Sequence, residues 1–175
     1  YMLDLFSNIV PLDYQGNLVR ELHMPGLGTA SGLGGKTEQT QLYYTFTNYV
    51  TPPTIFSFDV ESGSSEIYQH SESPFESDKF ESKQVFYTSK DGTQVPMLIS
   101  YKKGLKLDGN NPTMLYAYGG FNVSLTPSFS GTVGSWLELG GVYAVPNLRG
   151  GGEYGNCLLN TSDAAGERPR GEMGG

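Results

Sequence analysis

One cysteine, Cys157, is the whole thiol content of this 175-residue chain, which excludes an intrachain disulfide and a cysteine-based metal cluster. A reducing compartment fits that scarcity. Histidine is nearly as rare: His23 and His70 stand without partners at metal-ligand spacing and read as surface or internally satisfied residues. No run of about 18 apolar residues occurs, so no transmembrane helix is expected. The first residues, Tyr1-Met2-Leu3-Asp4, are neither basic nor followed by an apolar signal core, and a start other than Met suits a piece of a longer polypeptide. Cations are also few. Eleven Lys and Arg against 18 Asp and Glu leave a net charge of -7, which argues against a nucleic-acid partner, whose phosphates need a basic face. No membrane partner is expected either.

The charge is unevenly spread. Residues 1–72 hold two cations, Arg20 and Lys36, against eight carboxylates, whereas residues 73–155 hold seven of each sign. That shift places a domain boundary near residues 72–82.

What is present first is β pattern. Ile9 to Tyr14, a turn at Gln15-Gly16-Asn17, and Leu18 to Leu22 read as strand, turn, strand. Gln41 to Thr47 is aromatic and β-branched, as strands prefer. Pro52-Pro53 is expected to break it, after which Thr54 to Val60 alternates, Glu61-Ser62-Gly63-Ser64 turns, and Ser65 to Tyr68 resumes. Short antiparallel strands with turns about every ten residues suggest a sandwich, barrel or propeller, and two propeller blades fit the spacing. Ser71 to Ser82 is polar and acidic, the composition of a linker. A hairpin follows, Lys83 to Tyr87 and Gln94 to Tyr101, around the strong turn signal Asp91-Gly92.

Two glycine-rich loops then stand out: Tyr118-Gly119-Gly120-Phe121-Asn122, and Asn147-Leu148-Arg149-Gly150-Gly151-Gly152-Glu153-Tyr154-Gly155. Each follows a short apolar run, Thr113 to Tyr118 and Gly141 to Pro146, of the kind buried on both faces of a parallel sheet. Between them Trp136 to Leu139 reads as the end of a short helix stopped by Gly140-Gly141. Strand, helix, strand implies a right-handed parallel unit. Glycine loops at the ends of neighbouring parallel strands face one crevice, where open α/β sheets bind ligands. From Asn156 to Gly175 there is no aromatic residue and no periodicity, and disorder is expected.

Several motifs have plain explanations. Ala30-Ser31-Gly32-Leu33-Gly34-Gly35-Lys36-Thr37 is a relaxed phosphate-loop match, but its flanks read as strands rather than as strand and helix, and a turn between strands accounts for it better. Asn122-Val123-Ser124 and Asn160-Thr161-Ser162 match the glycosylation pattern, which arises often by chance. Glu72, Glu76, Asp78 and Glu81 read as a solvated acidic stretch. Tyr118 is either a packing tyrosine or, at a strand end before two glycines, a hydroxyl donor to a developing oxyanion. Phe121 alone reads as a core or loop anchor more readily than as a pocket wall.

Taken together, the stretches Phe86-Tyr87-Thr88-Ser89-Lys90-Asp91-Gly92, Tyr101 to Gly109, Tyr116 to Asn122 and Asn147 to Gly155 closely resemble the prolyl oligopeptidase family of serine peptidases. The resemblance is most specific over residues 80–155 and runs more loosely back to residue 1. It implies the C-terminal blades of a β-propeller (residues 1–72), then the first, incomplete part of an α/β-hydrolase domain (73–155), then an aberrant tail (156–175). It implies cleavage of short peptides on the carboxyl side of proline, with no cofactor. By position Tyr118 matches the tyrosine that helps form the family's oxyanion hole, and Phe121 an aromatic wall of its proline pocket. The Arg149 to Gly155 loop matches one beside the site that reads as mainly structural. A cytoplasmic location is expected, with the periplasm as the alternative.

The departures from the family are also specific. Its nucleophile sits on a G-x-S-x-G turn, with Asp and His later in the chain, and no such turn occurs here. After Tyr154-Gly155 the family pattern is lost, as a frameshift or truncation would produce. Gly131 and Gly134 are expected to weaken the helix between the loops, by up to about 1 kcal/mol each. Without the triad no acyl transfer is available, so this polypeptide is expected to need the remainder of the propeller and hydrolase domain and to be inactive alone. Two other readings remain: a non-catalytic β-rich protein-binding module, and a nucleotide-binding protein resting only on Gly35-Lys36-Thr37.

Overall fold

Alternation along residues 41–59 becomes the centre of a β-meander in the computed structural model, which describes residues 2–3, 6–19, 22–36, 38–121, 123–148 and 150–152. A short ladder of β1 (Met2–Leu3) and β2 (Phe6–Ser7) comes first. Then β3 (Thr29–Gly34), β4 (Gln41–Asn48), β5 (Thr51–Asp59) and β6 (Ser65–Gln69) form a four-stranded antiparallel sheet in sequence order. Every second residue of β4 and β5 points inward, so Tyr44, Phe46, Phe56 and Phe58 share one face. They pack with Leu33 of β3 and with Ile9, Leu22 and Met24 from the chain before it. Tyr44 stacks on Phe56 at 5.2 Å, and Phe46 meets Phe56 edge-on at 6.4 Å.

Pro52 and Pro53 do not break the sheet. They lie within β5, where Phe46 pairs with Thr54 and Asn48 with Thr51, so the two prolines oppose Thr47 alone. A bulge of two residues against one needs no ladder N–H from either, which is where a sheet tolerates proline. Among the described residues, the expected hairpin over residues 9–22 reduces to a single bridge, Leu12 with Leu18. Asp13 draws the chain into a tight turn instead, its carboxylate accepting the N–H groups of Gln15 (2.9 Å) and Asn17 (2.7 Å). The turn expected across the phosphate-loop match is confined to its end. Residues 29–34 are an edge strand paired with β4, with a register shift between Ser31 and Gly34, and Thr37 lies outside the described residues.

The second sheet is mixed. β7 (Phe80–Thr88) and β8 (Gln94–Lys102) form the expected hairpin, its turn made by Gly92 at φ +87°. β9 (Thr113–Leu115), helix α1 (Gly131–Glu138) and β10 (Val142–Pro146) complete it in the order β7-β8-β10-β9. β10 runs parallel to β9 and antiparallel to β8, and all five of its residues are buried. The run ending at Tyr118 was expected to be buried in the same way. Instead β9 is short and exposed, with Leu115 at 66%. It is an edge strand: among the described residues it pairs with β10 alone.

Ser71 to Ser82 is more than a solvated connection. A 3-10 turn at Ser77–Lys79 leads into β7, and Phe75 stacks on Phe80 at 4.6 Å and tilts against Phe129 at 5.2 Å. That ring explains the glycine that was expected only to weaken α1. A Cβ on Gly134 would lie 3.1 Å from Phe75 and 3.3 Å from Phe129, so the small residue lets both rings approach the helix, at some cost in propensity. Val133, Gly134 and Leu137 form the buried stripe of α1.

The turn between β4 and β5 is where the two sheets meet. Tyr49 and Val50 enter one core with Phe80, Leu98, Val133, Leu137, Tyr143 and Val145. Tyr49 packs edge-on against Tyr143 at 5.2 Å. Two threonine hydroxyls fasten the same seam: Thr29 donates to the Pro127 carbonyl (2.7 Å), and Thr47 accepts the Phe129 N–H (3.1 Å).

Burial raises the pKa of the Tyr49 phenol, helped by the nearby hydroxyls of Tyr143 and Tyr116. A phenol harder to ionise folded than unfolded binds its proton more tightly in the native state. Its contribution is therefore intact below the ordinary value of about 10 and is lost as pH rises above it. Urea unfolding followed by Trp136 fluorescence should give a midpoint that falls above about pH 10. In Tyr49→Phe the fall should be shallower, and equal slopes would refute a titrating joint.

Candidate active site

Beyond β9 the parallel pairing continues without forming a full strand. The Tyr116 N–H donates to the Ala144 carbonyl at 3.0 Å, and Tyr118 forms an isolated parallel bridge with Asn147. The first glycine loop thus leaves the sheet edge beside the end of β10. Tyr118 is partly exposed, and its ring folds back over the next residues, its Oη lying 3.5 Å from where a Cβ on Gly120 would sit. The turn closes with the Val123 N–H donating to the Gly120 carbonyl at 3.1 Å.

Its left-handed residue is Phe121, at φ +51°, while Gly119 and Gly120 keep ordinary backbone angles. A bulky residue in that region is uncommon and costs about 1–3 kcal/mol. Phe121 is also 95% exposed.

The second loop begins at Asn147, which is buried. Its N–H donates to the Pro96 carbonyl on β8 (3.0 Å), and its Nδ2 donates to the Leu125 carbonyl (3.2 Å). Gly150 then adopts φ +99°, and a Cβ there would lie only 2.5 Å from the Gly119 oxygen and 2.9 Å from its carbon. The two glycine loops therefore touch, backbone on backbone. Sequence reasoning placed them at one crevice, and the geometry joins them directly.

Tyr118 is brought beside the second loop, while Phe121 faces outward from the first. Arg149, Glu153 to Gly155, Asn122, Cys157, Asn160 and the whole 156–175 tail lie outside the described residues. His23 and His70 are exposed on the side of the antiparallel sheet. Glu76 pairs with Lys79, and Glu81 with Lys83 at 3.2 Å. Among the described residues no three His, Cys, Asp or Glu gather as for a metal ion, and no helix is long and apolar enough to cross a membrane. Asn147 was missed by sequence reasoning. Its one visible signal is a polar residue placed directly between a wholly apolar strand and a glycine loop.

Comparison with known proteins bears on both sheets. The family model described as the N-terminal β-propeller domain of prolyl oligopeptidase matches residues 1–71. A prolyl endopeptidase of Elizabethkingia miricola is 59% identical over 155 residues, covering 89% of this chain and 22% of that protein. One of Dictyostelium discoideum is 38% identical over 150 residues, covering 83% of this chain and 20% of the other. A solved prolyl endopeptidase superposes with a TM-score of 0.80 at 41% identity, across 94% of this chain and 26% of that one. Prolyl oligopeptidase B of Galerina marginata, bound to a 35mer hydrolysis and macrocyclization substrate, gives 0.79 at 34% identity across 93% and 25%. The chain spans about a fifth of the length of the curated relatives it matches.

Proposed function

We propose, from the premise that this chain belongs to the prolyl oligopeptidase family, that it supplies one side of the active site of a serine endopeptidase cleaving short peptides after proline. In this reading residues 1–72 belong to the propeller, residues 73–155 open an α/β-hydrolase domain, and residues 156–175 are a tail outside both. The order β7-β8-β10-β9, with a helix between the two parallel strands, suits such an opening: an antiparallel hairpin, then a parallel crossover unit. The observation that carries the reading is the contact between the Tyr118–Phe121 loop and the Asn147–Gly152 loop at the ends of adjacent parallel strands, the place where open α/β sheets work on ligands.

The chemistry divides by residue. Tyr118 donates its hydroxyl to the oxyanion that forms when the scissile carbonyl is attacked. Phe121 offers a flat apolar face to the pyrrolidine ring of proline, which has no N–H to recognise and is selected by shape. Serine nucleophile, histidine base and aspartate come from elsewhere in a complete enzyme, because these 175 residues hold no G-x-S-x-G turn and their two histidines lie in the 1–72 region.

A chimera tests this: this chain's residues replace the matched 155-residue segment of the Elizabethkingia miricola enzyme. It should cleave after proline, and Phe121→Ala in it should raise KM about 10-fold, the worth of roughly 1.4 kcal/mol of ring contact. The 175-residue chain by itself should show no turnover. Turnover by the isolated chain, slowed by Tyr118→Phe, would sink the division of labour, and an unchanged KM would remove Phe121 from the pocket.

A further inference from the structure

The second glycine loop supplies no group to the chemistry proposed for Tyr118 and Phe121. We infer that Gly150 and Asn147 are positioning residues for the oxyanion donor, an inference that rests on the reading of Tyr118 just given. Among the described residues, three contacts tie the first loop to the chain just after β10. Asn147 bridges the Tyr118 backbone, the Gly150 backbone lies against the Gly119 carbonyl, and the Asn147 side chain holds the Leu125 carbonyl. Asn147 is in turn tied through its N–H to Pro96 of β8. The loop carrying Tyr118 is thereby clamped before, within and after its turn, on the most buried strand of the mixed sheet.

Only glycine can occupy the middle of that clamp. Any Cβ at position 150 would meet Gly119 backbone at 2.5 Å, and backbone cannot rotate away as a side chain does. The φ of +99° excludes ordinary residues independently. A substitution there must push Gly119, and with it Tyr118, out of place. Oxyanion donors work only when held within about 0.5 Å of the productive geometry, so a displacement of that order should appear in the chemical step.

The chimera described above carries the test. Gly150→Ala should lower kcat at least about 10-fold with KM changed by less than about threefold, because the contact lies on the Tyr118 side of the turn. Asn147→Ser should lower kcat too, and should also raise KM, since Asn147 holds the chain beyond Phe121. In a Tyr118→Phe background both losses in kcat should shrink to under about twofold, because residues that act through one group are not additive. Full additivity, or an unchanged kcat in both variants, overturns the positioning role while leaving Tyr118 in place. If Tyr118→Phe alone leaves kcat unchanged, the oxyanion reading itself fails and the inference fails with it. Should Gly150→Ala not fold, Asn147→Ser, which retains its backbone N–H, decides the matter.

Discussion

Replacing Tyr118 by Phe in the complete chimera is expected to lower kcat for a proline-containing peptide by about 10²–10³, the usual cost of one oxyanion donor. The substitution removes one oxygen and leaves the ring that lies over Gly120, so loop and fold should survive it. KM should hardly move, because the hydroxyl is used most when the carbonyl oxygen gains charge and little in ground-state binding. A loss confined to kcat, with an unchanged unfolding midpoint, is the signature of a transition-state donor. The competing account, a packing tyrosine, predicts the reverse: lowered stability with activity per folded molecule retained. A kcat within threefold of the parent would decide for packing.

Leu137→Ala is expected to destabilise the protein by about 2–5 kcal/mol, the range for a large-to-small change in a closed core. Leu137 is wholly buried on α1, in the cluster that joins Tyr49 and Val50 of the first sheet to Leu98, Tyr143 and Val145 of the second. A cavity there weakens both sheets and the seam between them. Domains are stable by only about 5–15 kcal/mol, so the loss takes a large share of the total. Urea unfolding read by Trp136, which packs beside this cluster and donates its indole N–H to the Val142 carbonyl, should show the midpoint fall. A change below about 1 kcal/mol would mean that α1 is not fixed on the sheet.

Much of the fold around the candidate site was legible in the sequence, because its signals are local. Asp91-Gly92 announces a hairpin by backbone preference alone, and the wholly apolar Val142 to Pro146 announces a strand covered on both sides. The strand ending at Tyr118 reads identically, yet it is exposed. An apolar run tells the solvent preference of its side chains, whereas burial depends on which strands lie alongside, and β9 has β10 on one side only among the described residues. Pro52-Pro53 failed for a related reason. Proline removes a donor, but whether a donor is needed depends on register, and the bulge opposite Thr47 frees both residues from the ladder.

Glycine gave the widest gap between pattern and structure. Gly134 reads as a weak point in a helix, and the rings of Phe75 and Phe129 turn it into a packing requirement. Gly119-Gly120 reads as the sharp turn, while the left-handed angle falls to Phe121. Asn147 carried almost no signal, since its importance lies in partners twenty or more residues away, Leu125 and Pro96.

By itself the sequence determined the strands from β4 to β10, the two glycine loops, the family resemblance through residues such as Tyr118 and Phe121, and the absence of a serine elbow. Each of these is written in neighbouring residues, where backbone preference and side-chain chemistry act over a few ångströms. The tertiary structure alone decided that the two loops touch, that Gly150 leaves no room for a side chain against Gly119, and that Tyr49 and Leu137 belong to one core. Those facts arise when distant segments compete for the same space, and close packing makes that competition specific to single atoms.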